Sequence, residues 1–181
     1  MTDKYFLGTS REASDNNRLP SLGEIGLSRF APHLINRLSA SYNANLQEVL
    51  KPHDMTTAKM RALSLLTIAA GLTVNELSYL AVVEQSTMSR TLDSLEEQGY
   101  VRRQSRPDDM RVREIHITEE GRTAFQAFWP TLFGIFSQLF EDVTPEEYDA
   151  FVNTLHKVLR NMDKHGISAP SPGGGRSGEG R

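Results

Sequence analysis

The sequence predicts a mainly α fold with a small β-hairpin wing, on three observations. Apolar residues recur at three- and four-residue steps over most of the chain, as one face of a helix requires. Two short capped helical segments stand only three or four residues apart, which is a helix-turn-helix signal. An alternating, arginine-rich hairpin follows the second of them directly, in the position of a wing.

Taken in order, residues 1–27 are mixed and polar, with Asn16-Asn17 and Leu19-Pro20-Ser21 as turn signals, and read as a flexible N-terminal arm. Phe30, Leu34, Ile35, Leu38, Tyr42, Leu46, Val49 and Leu50 then mark a long amphipathic helix. It starts near Ser28, tolerates Pro32 in its first turn and stops at Pro52. Its length suggests a partner surface. Thr56 caps a second helix that runs through Met60, Leu63, Leu66 and Ala70 to Gly71. Ala62, Leu65 and Ile68 occupy its other side, so it should be buried nearly all round. Thr73 and Glu76 form a capping box for a short helix ending near Val82 or Val83, and Gln85-Ser86 cap the next, with Met88, Leu92 and Leu95 inward and Gly99 at its end.

Residues 100–104 and 112–117 read as the two strands of the hairpin, with residues 105–109 as the turn. Thr118 caps a helix carrying Phe125, Phe128, Trp129, Leu132, Phe133, Phe136 and Leu139, in which Pro130 removes the bond to Gln126 and should cause a bend. Thr144-Pro145-Glu146-Glu147 launches a last helix through Phe151, Leu155, Val158, Leu159 and Met162. From Gly166 onward, six Gly, two Pro and three Ser in 16 residues read as a disordered tail.

Composition narrows the function by exclusion. At 181 residues, with 38% hydrophobic and 24% charged residues and a mean hydropathy of -0.43, the chain allows one compact domain plus tails. No run approaches the roughly 18 apolar residues of a membrane helix, and no secretory signal pattern is present, so a cytoplasmic protein with no membrane partner is expected. The absence of cysteine removes disulfides, thiol catalysis and Cys-type zinc sites. His33, His53, His116, His156 and His165 fall in no ligand spacing, and no nucleophile elbow, phosphate loop or dinucleotide fingerprint occurs. No metal, cofactor or catalytic residue is expected, and the chain is not read as an enzyme. A net charge of -3 gives no general attraction to nucleic acid, so any DNA contact must rest on local charge.

That local charge is in the wing. Between Gly99 and Arg113 stand Arg102, Arg103, Arg106, Arg111 and Arg113 against Asp108 and Asp109, a balance of 5 - 2 = +3. A hairpin tip can place an arginine in the minor groove while its neighbours take phosphates. In the first turn after the helix-turn-helix corner, Ser86, Thr87, Ser89 and Arg90 are small hydrogen-bonders plus one arginine, suited to close approach to base edges.

The order of elements, Ser86-Thr87-Met88-Ser89-Arg90-Thr91-Leu92, Leu95-Glu96-Glu97-Gln98-Gly99-Tyr100-Val101, Asp109-Met110-Arg111 and Ile117-Thr118-Glu119-Glu120-Gly121 together resemble the MarR family of bacterial winged-helix transcription regulators. The resemblance covers roughly residues 28–164. It implies a recognition helix in the major groove, with Asp109 supporting the wing and Arg111 touching DNA, and departs from the commonest form at Met110, where Arg is frequent. It implies a helical dimerisation module from residues 28–52 and 144–164, a winged helix-turn-helix at 55–117 and a bent linking helix at 118–140, with residues 165–181 as tail. Leu34, Leu38, Leu46, Phe151, Leu155 and Leu159, too many apolar residues for one small winged domain to cover, support a homodimer on a palindromic double-stranded operator.

Members of the family are often released from DNA by small aromatic acids bound where the dimer module meets the winged domain. By that resemblance the candidate effector residues are Phe30, His33, Asn36 and Arg37 on the first long helix, Met60 and Arg61 on the second, and Arg122, Phe125, Gln126 and Trp129 on the bent one. His33 and Arg37, one turn apart, could hold a carboxylate while Trp129 and the phenylalanines cover a ring. The reading is a repressor released by a small aromatic acid or its thioester. The alternatives are a winged-helix protein-interaction module and an effector-independent DNA-binding activator.

Overall fold

The computed structural model describes residues 21–167, so the reading of residues 1–20 as part of a flexible arm and of residues 168–181 as a disordered tail falls outside the described residues. The described chain divides into two compact units, one up to residue 54 and one from residue 55 onward.

The first unit opens with α1 (Leu22–Ile25), where Ser21 and Glu24 satisfy each other's backbone N–H groups in a capping box. A 3-10 turn (Leu27–Arg29) leads into α2 (Ala31–Leu50). The helix starts at Ala31 and not near Ser28, because Phe30 is extended and Pro32 has no N–H to give an earlier carbonyl; at the second helical position it costs no bond. Pro52 lies in the 3-10 turn Lys51–His53 that follows, closed by a left-handed Asp54. Leu46 and Leu50 are buried, while Leu34, Ile35, Leu38 and Tyr42 stand exposed.

In the second unit Thr56 caps α3 (Thr57–Ile68), its Oγ1 accepting the Lys59 N–H at 3.1 Å. Met60, Ala62, Leu63 and Leu66 are buried, but Leu65 is half-buried and Ile68 is 85% exposed, so α3 is not covered all round. At 100° per residue, Ile68 lies about 200° round from Leu66 and faces outward. The helix also ends before Gly71, at an extended Ala69. Gly71 (φ 75°) instead turns the chain so that Leu72 bridges Ile115 of the wing; a Cβ there would stand 2.9 Å from the Glu114 carboxylate.

The capping box of Thr73 and Glu76 starts α4 (Val74–Ala81), which closes on a left-handed Val82. Three residues on, α5 (Gln85–Glu97) begins, but its cap is Glu84, whose carboxylate reaches the Thr87 N–H, and Gln85 and Ser86 are already helical. After Gly99 (φ 74°) come β1 (Val101–Ser105) and β2 (Arg113–Ile117), antiparallel with Val101 opposite Ile117, Arg103 opposite Ile115 and Ser105 opposite Arg113. Both strands start one residue later than the alternation suggests.

Thr118 caps α6 (Glu119–Leu139) and also donates to the Gly99 carbonyl at 2.7 Å, tying the helix to the end of α5. Gly121 allows this approach: a Cβ on it would fall 2.1 Å from the Tyr100 carbonyl oxygen. Pro130 lies inside α6, and α7 (Pro145–Lys164) begins with the Thr144–Glu147 capping box.

The core of this unit gathers α3, α4, α5, the hairpin and α6 around Leu63, Leu66, Leu77, Met88, Leu92, Leu95 and Ile115, all with no exposed surface. Phe136 of α6 and Phe140 at its C-cap meet Tyr148 of α7 edge-on at 5.9 and 5.0 Å. No residue of α7 is buried, and Trp129, Phe133, Val158 and Leu159 are exposed. No described helix is long and apolar enough to cross a membrane.

Candidate nucleic-acid interface

The first turn of α5 is set by hydrogen bonds that sequence spacing did not reveal. Glu84 Oε2 accepts the Thr87 N–H at 3.0 Å and also the Ser86 hydroxyl, and these bonds, the Ser86 hydroxyl first, hold its carboxyl down to about 2. Gln85 Nε2 donates to Asn75 Oδ1 at 2.6 Å, linking the first turns of α4 and α5. Thr91 is buried and its hydroxyl donates to the Thr87 carbonyl at 2.8 Å. Ser86, Thr87 and Arg90 are exposed, and Ser89 is half-buried.

The wing arginines divide into two kinds. Arg103 donates its backbone N–H to Glu96 Oε1 at 3.0 Å, Nη1 to Glu96 Oε2, and Nη2 to Asp93 Oδ1 at 2.6 Å. Burial opposes its charge, but the bonds to Asp93 and Glu96 outweigh burial and hold its pKa above the usual arginine range. Arg106 Nε donates to Glu114 Oε1 at 2.6 Å, a bond that likewise raises its pKa. Arg102, Arg111 and Arg113 are exposed and form no ion pair among the described residues. The register puts Arg102 and Arg113 on opposite faces of the hairpin, because side chains alternate along each strand. The sequence charge of +3 is thus redistributed. Two of its five arginines hold the wing against α5 and against itself, and three face solvent.

Asp109 has a structural job at the tip. Its Oδ1 accepts the Arg111 N–H at 3.0 Å and its carbonyl accepts the Val112 N–H at 3.0 Å, which folds the loop back beneath an exposed Met110. Asp93, Glu96 and Glu114, given no such role in the sequence reading, are the acids that orient the wing; opposite charges seven to ten residues apart were the available signal.

The candidate effector residues fall into two sets. Phe30, His33, Asn36 and Arg37 lie on or next to α2 in the first unit, with Phe30 and His33 half-buried and the other two exposed. In the second unit Met60 is buried, and Arg61 Nη1 donates to the Ala81 carbonyl at 3.0 Å, which closes the C-terminus of α4. That bond makes Arg61 a helix cap before it is a ligand group. Phe125 is buried and Trp129 is 52% exposed, their rings 5.9 Å apart; Arg122 is half-buried and Gln126 exposed.

The MarR family model matches residues 53–111, the part from the turn before α3 to the wing tip. An HTH-type transcriptional regulator of Bacillus anthracis is 31% identical over 129 residues, 71% of this chain and 84% of the relative. A MarR family transcriptional regulator from Silicibacter pomeroyi is 40% identical with a TM-score of 0.74, covering 79% of this chain and 97% of that one. A mutant MarR from E. coli complexed with operator DNA is 28% identical with a TM-score of 0.60, over 71% of this chain and 92% of that one. With a helix-turn-helix, an arginine-bearing hairpin and long helices on either side, the chain belongs to the MarR family of winged helix-turn-helix transcriptional regulators.

Proposed function

We propose that the protein is a homodimeric repressor that binds a palindromic operator and leaves it when a small aromatic acid or its thioester binds. The observation that carries the DNA contact is the exposure of Arg102, Arg111 and Arg113 on one hairpin beside an α5 whose first turn presents Thr87, Ser86 and Arg90. Arginines on both faces of a narrow hairpin suit a wing lying along a groove between two phosphate rows. Ser89 and Arg90 are assigned to base edges, and Asp109 to supporting the tip.

Dimerisation is supported by Trp129, Phe133, Val158 and Leu159, apolar surface on α6 and α7 that a soluble monomer would rarely display. Pairing two recognition helices is also what a palindromic site demands. For the effector, His33 and Arg37 one turn apart on α2 supply the anion grip.

The deciding experiment is binding to a nonspecific duplex across a salt series, followed by a thermal-shift screen of aromatic acids and their coenzyme A thioesters. Affinity that does not change with salt would remove the DNA reading. A screen in which no acid or thioester raises the melting temperature in a concentration-dependent way would remove the effector reading alone.

A further inference from the structure

Glu84 stands exposed at the start of α5, a carboxylate within a surface otherwise arranged for phosphate. Its orientation is fixed from two sides, because both the Thr87 N–H and the Ser86 hydroxyl end on Oε2. Oε1 therefore keeps lone pairs for an outside donor. Ser86 has given its only hydroxyl proton to Glu84, so it too can offer a base nothing but lone pairs. Gln85 is held by Asn75. The leading end of the recognition helix is thus an acceptor surface, although its composition would have allowed either kind of hydrogen bond.

A carboxylate near the DNA backbone is repelled by phosphate, and only a donor on a base offsets that repulsion. In the major groove the exocyclic amino groups of cytosine and adenine are the donors, and adenine sets its N7 acceptor next to the amine, facing a carboxylate with like polarity. Cytosine's own major-groove edge carries no acceptor. We propose that Glu84 is a specificity-determining residue whose carboxylate accepts a hydrogen bond from the N4 amino group of a cytosine in each half-site. The inference rests on the DNA-binding reading above and adds to it a named base and a named atom.

The test is selection from a randomised duplex pool with the full-length wild type and with Glu84→Gln and Glu84→Ser, the serine variant keeping a good helix cap. The wild type should enrich one cytosine per half-site that Glu84→Ser no longer prefers, with a loss of discrimination on the order of tenfold at that position only. Glu84→Gln, a donor and acceptor together, should move the preference there toward adenine. If both variants bind all sequences more tightly by one common factor, with every base preference unchanged, the carboxylate only caps and repels and the inference falls. A wild type that enriches no sequence overturns the DNA reading itself, and this inference with it.

Discussion

Arg103→Ala separates positioning from contact in the wing. The substitution removes the bonds from Nη1 to Glu96 and from Nη2 to Asp93, while the backbone N–H of residue 103 still reaches Glu96 Oε1. Asp93 is 56% exposed and Glu96 38%, so solvent screens much of both attractions, and Glu96 is not left without a donor. The expected cost is about 1–2 kcal/mol of stability, or ~2–8 °C in melting temperature for a chain of this size. On DNA the predicted signature is a fall in operator affinity, on the order of tenfold, with an unchanged slope of log K against log salt, because no phosphate contact is lost. Arg111→Ala should do the reverse. It should leave the fold intact, weaken binding to every sequence and reduce the slope by about 1.8, two contacts per dimer at ~0.9 each. The assay is fluorescence anisotropy from low to moderate salt on operator and nonspecific duplexes. A flattened slope for Arg103→Ala equal to that of Arg111→Ala would show that Arg103 touches phosphate and that the clamp to α5 opens on binding.

Four further outcomes are expected. Gly121→Ala should destabilise the protein by roughly 3 kcal/mol or more, read from a urea midpoint, since its Cβ would lie 2.1 Å from the Tyr100 carbonyl oxygen; a near-neutral result would mean that α6 can shift freely. Leu159→Asp should convert the proposed dimer to monomer in sedimentation without unfolding the winged unit, because Leu159 is 56% exposed in the single chain; an unchanged sedimentation coefficient would place the interface elsewhere. The Glu84 carboxyl should titrate near pH 2 by NMR. Its folded-state pKa is depressed, so the stability from this cap is fully present above the ordinary glutamate range and fades as pH falls toward 2; an ordinary titration would mean that the cap is open. His33→Ala and Arg37→Ala should keep operator binding and lose release by the effector, and variants that stay fully inducible would leave both residues without an effector role.

What was legible in the sequence was local. Thr56, Thr73, Thr118 and Thr144 act as helix caps because each bonds a backbone N–H three residues on, within the span that a sequence pattern reports. The helix-turn-helix and the hairpin follow from those caps and from a change of period. Two boundaries were misread for identifiable reasons. Glu84 is an uncommon cap, so Gln85-Ser86 looked the better start of α5, and Pro32 was placed deeper in α2 than a residue without an N–H can sit. The division of labour among the wing arginines was not legible at all. Arg103 finds Asp93 ten residues away and Glu96 seven away, and Arg61 finds the Ala81 carbonyl twenty away, partners that only the packed helices bring within reach.

The charge count that remains after those pairings bears on how an acidic protein can be a selective DNA binder. Each copy carries a formal charge of -3, yet Arg90, Arg102, Arg111 and Arg113 are exposed with no ion pair among the described residues. If the three wing arginines meet phosphate in both copies of a dimer, about six contacts give a salt slope near -5, and affinity falls roughly 10³-fold between 50 and 200 mM salt. The two Glu84 carboxylates and the acidic remainder of the surface act against any duplex that lacks a donor in the right place. Phosphate attraction then suffices to hold the protein near DNA, while residence at one site depends on base contacts by α5. That places specificity in the hydrogen-bonding polarity of a single helical turn, where Glu84 sets the sign.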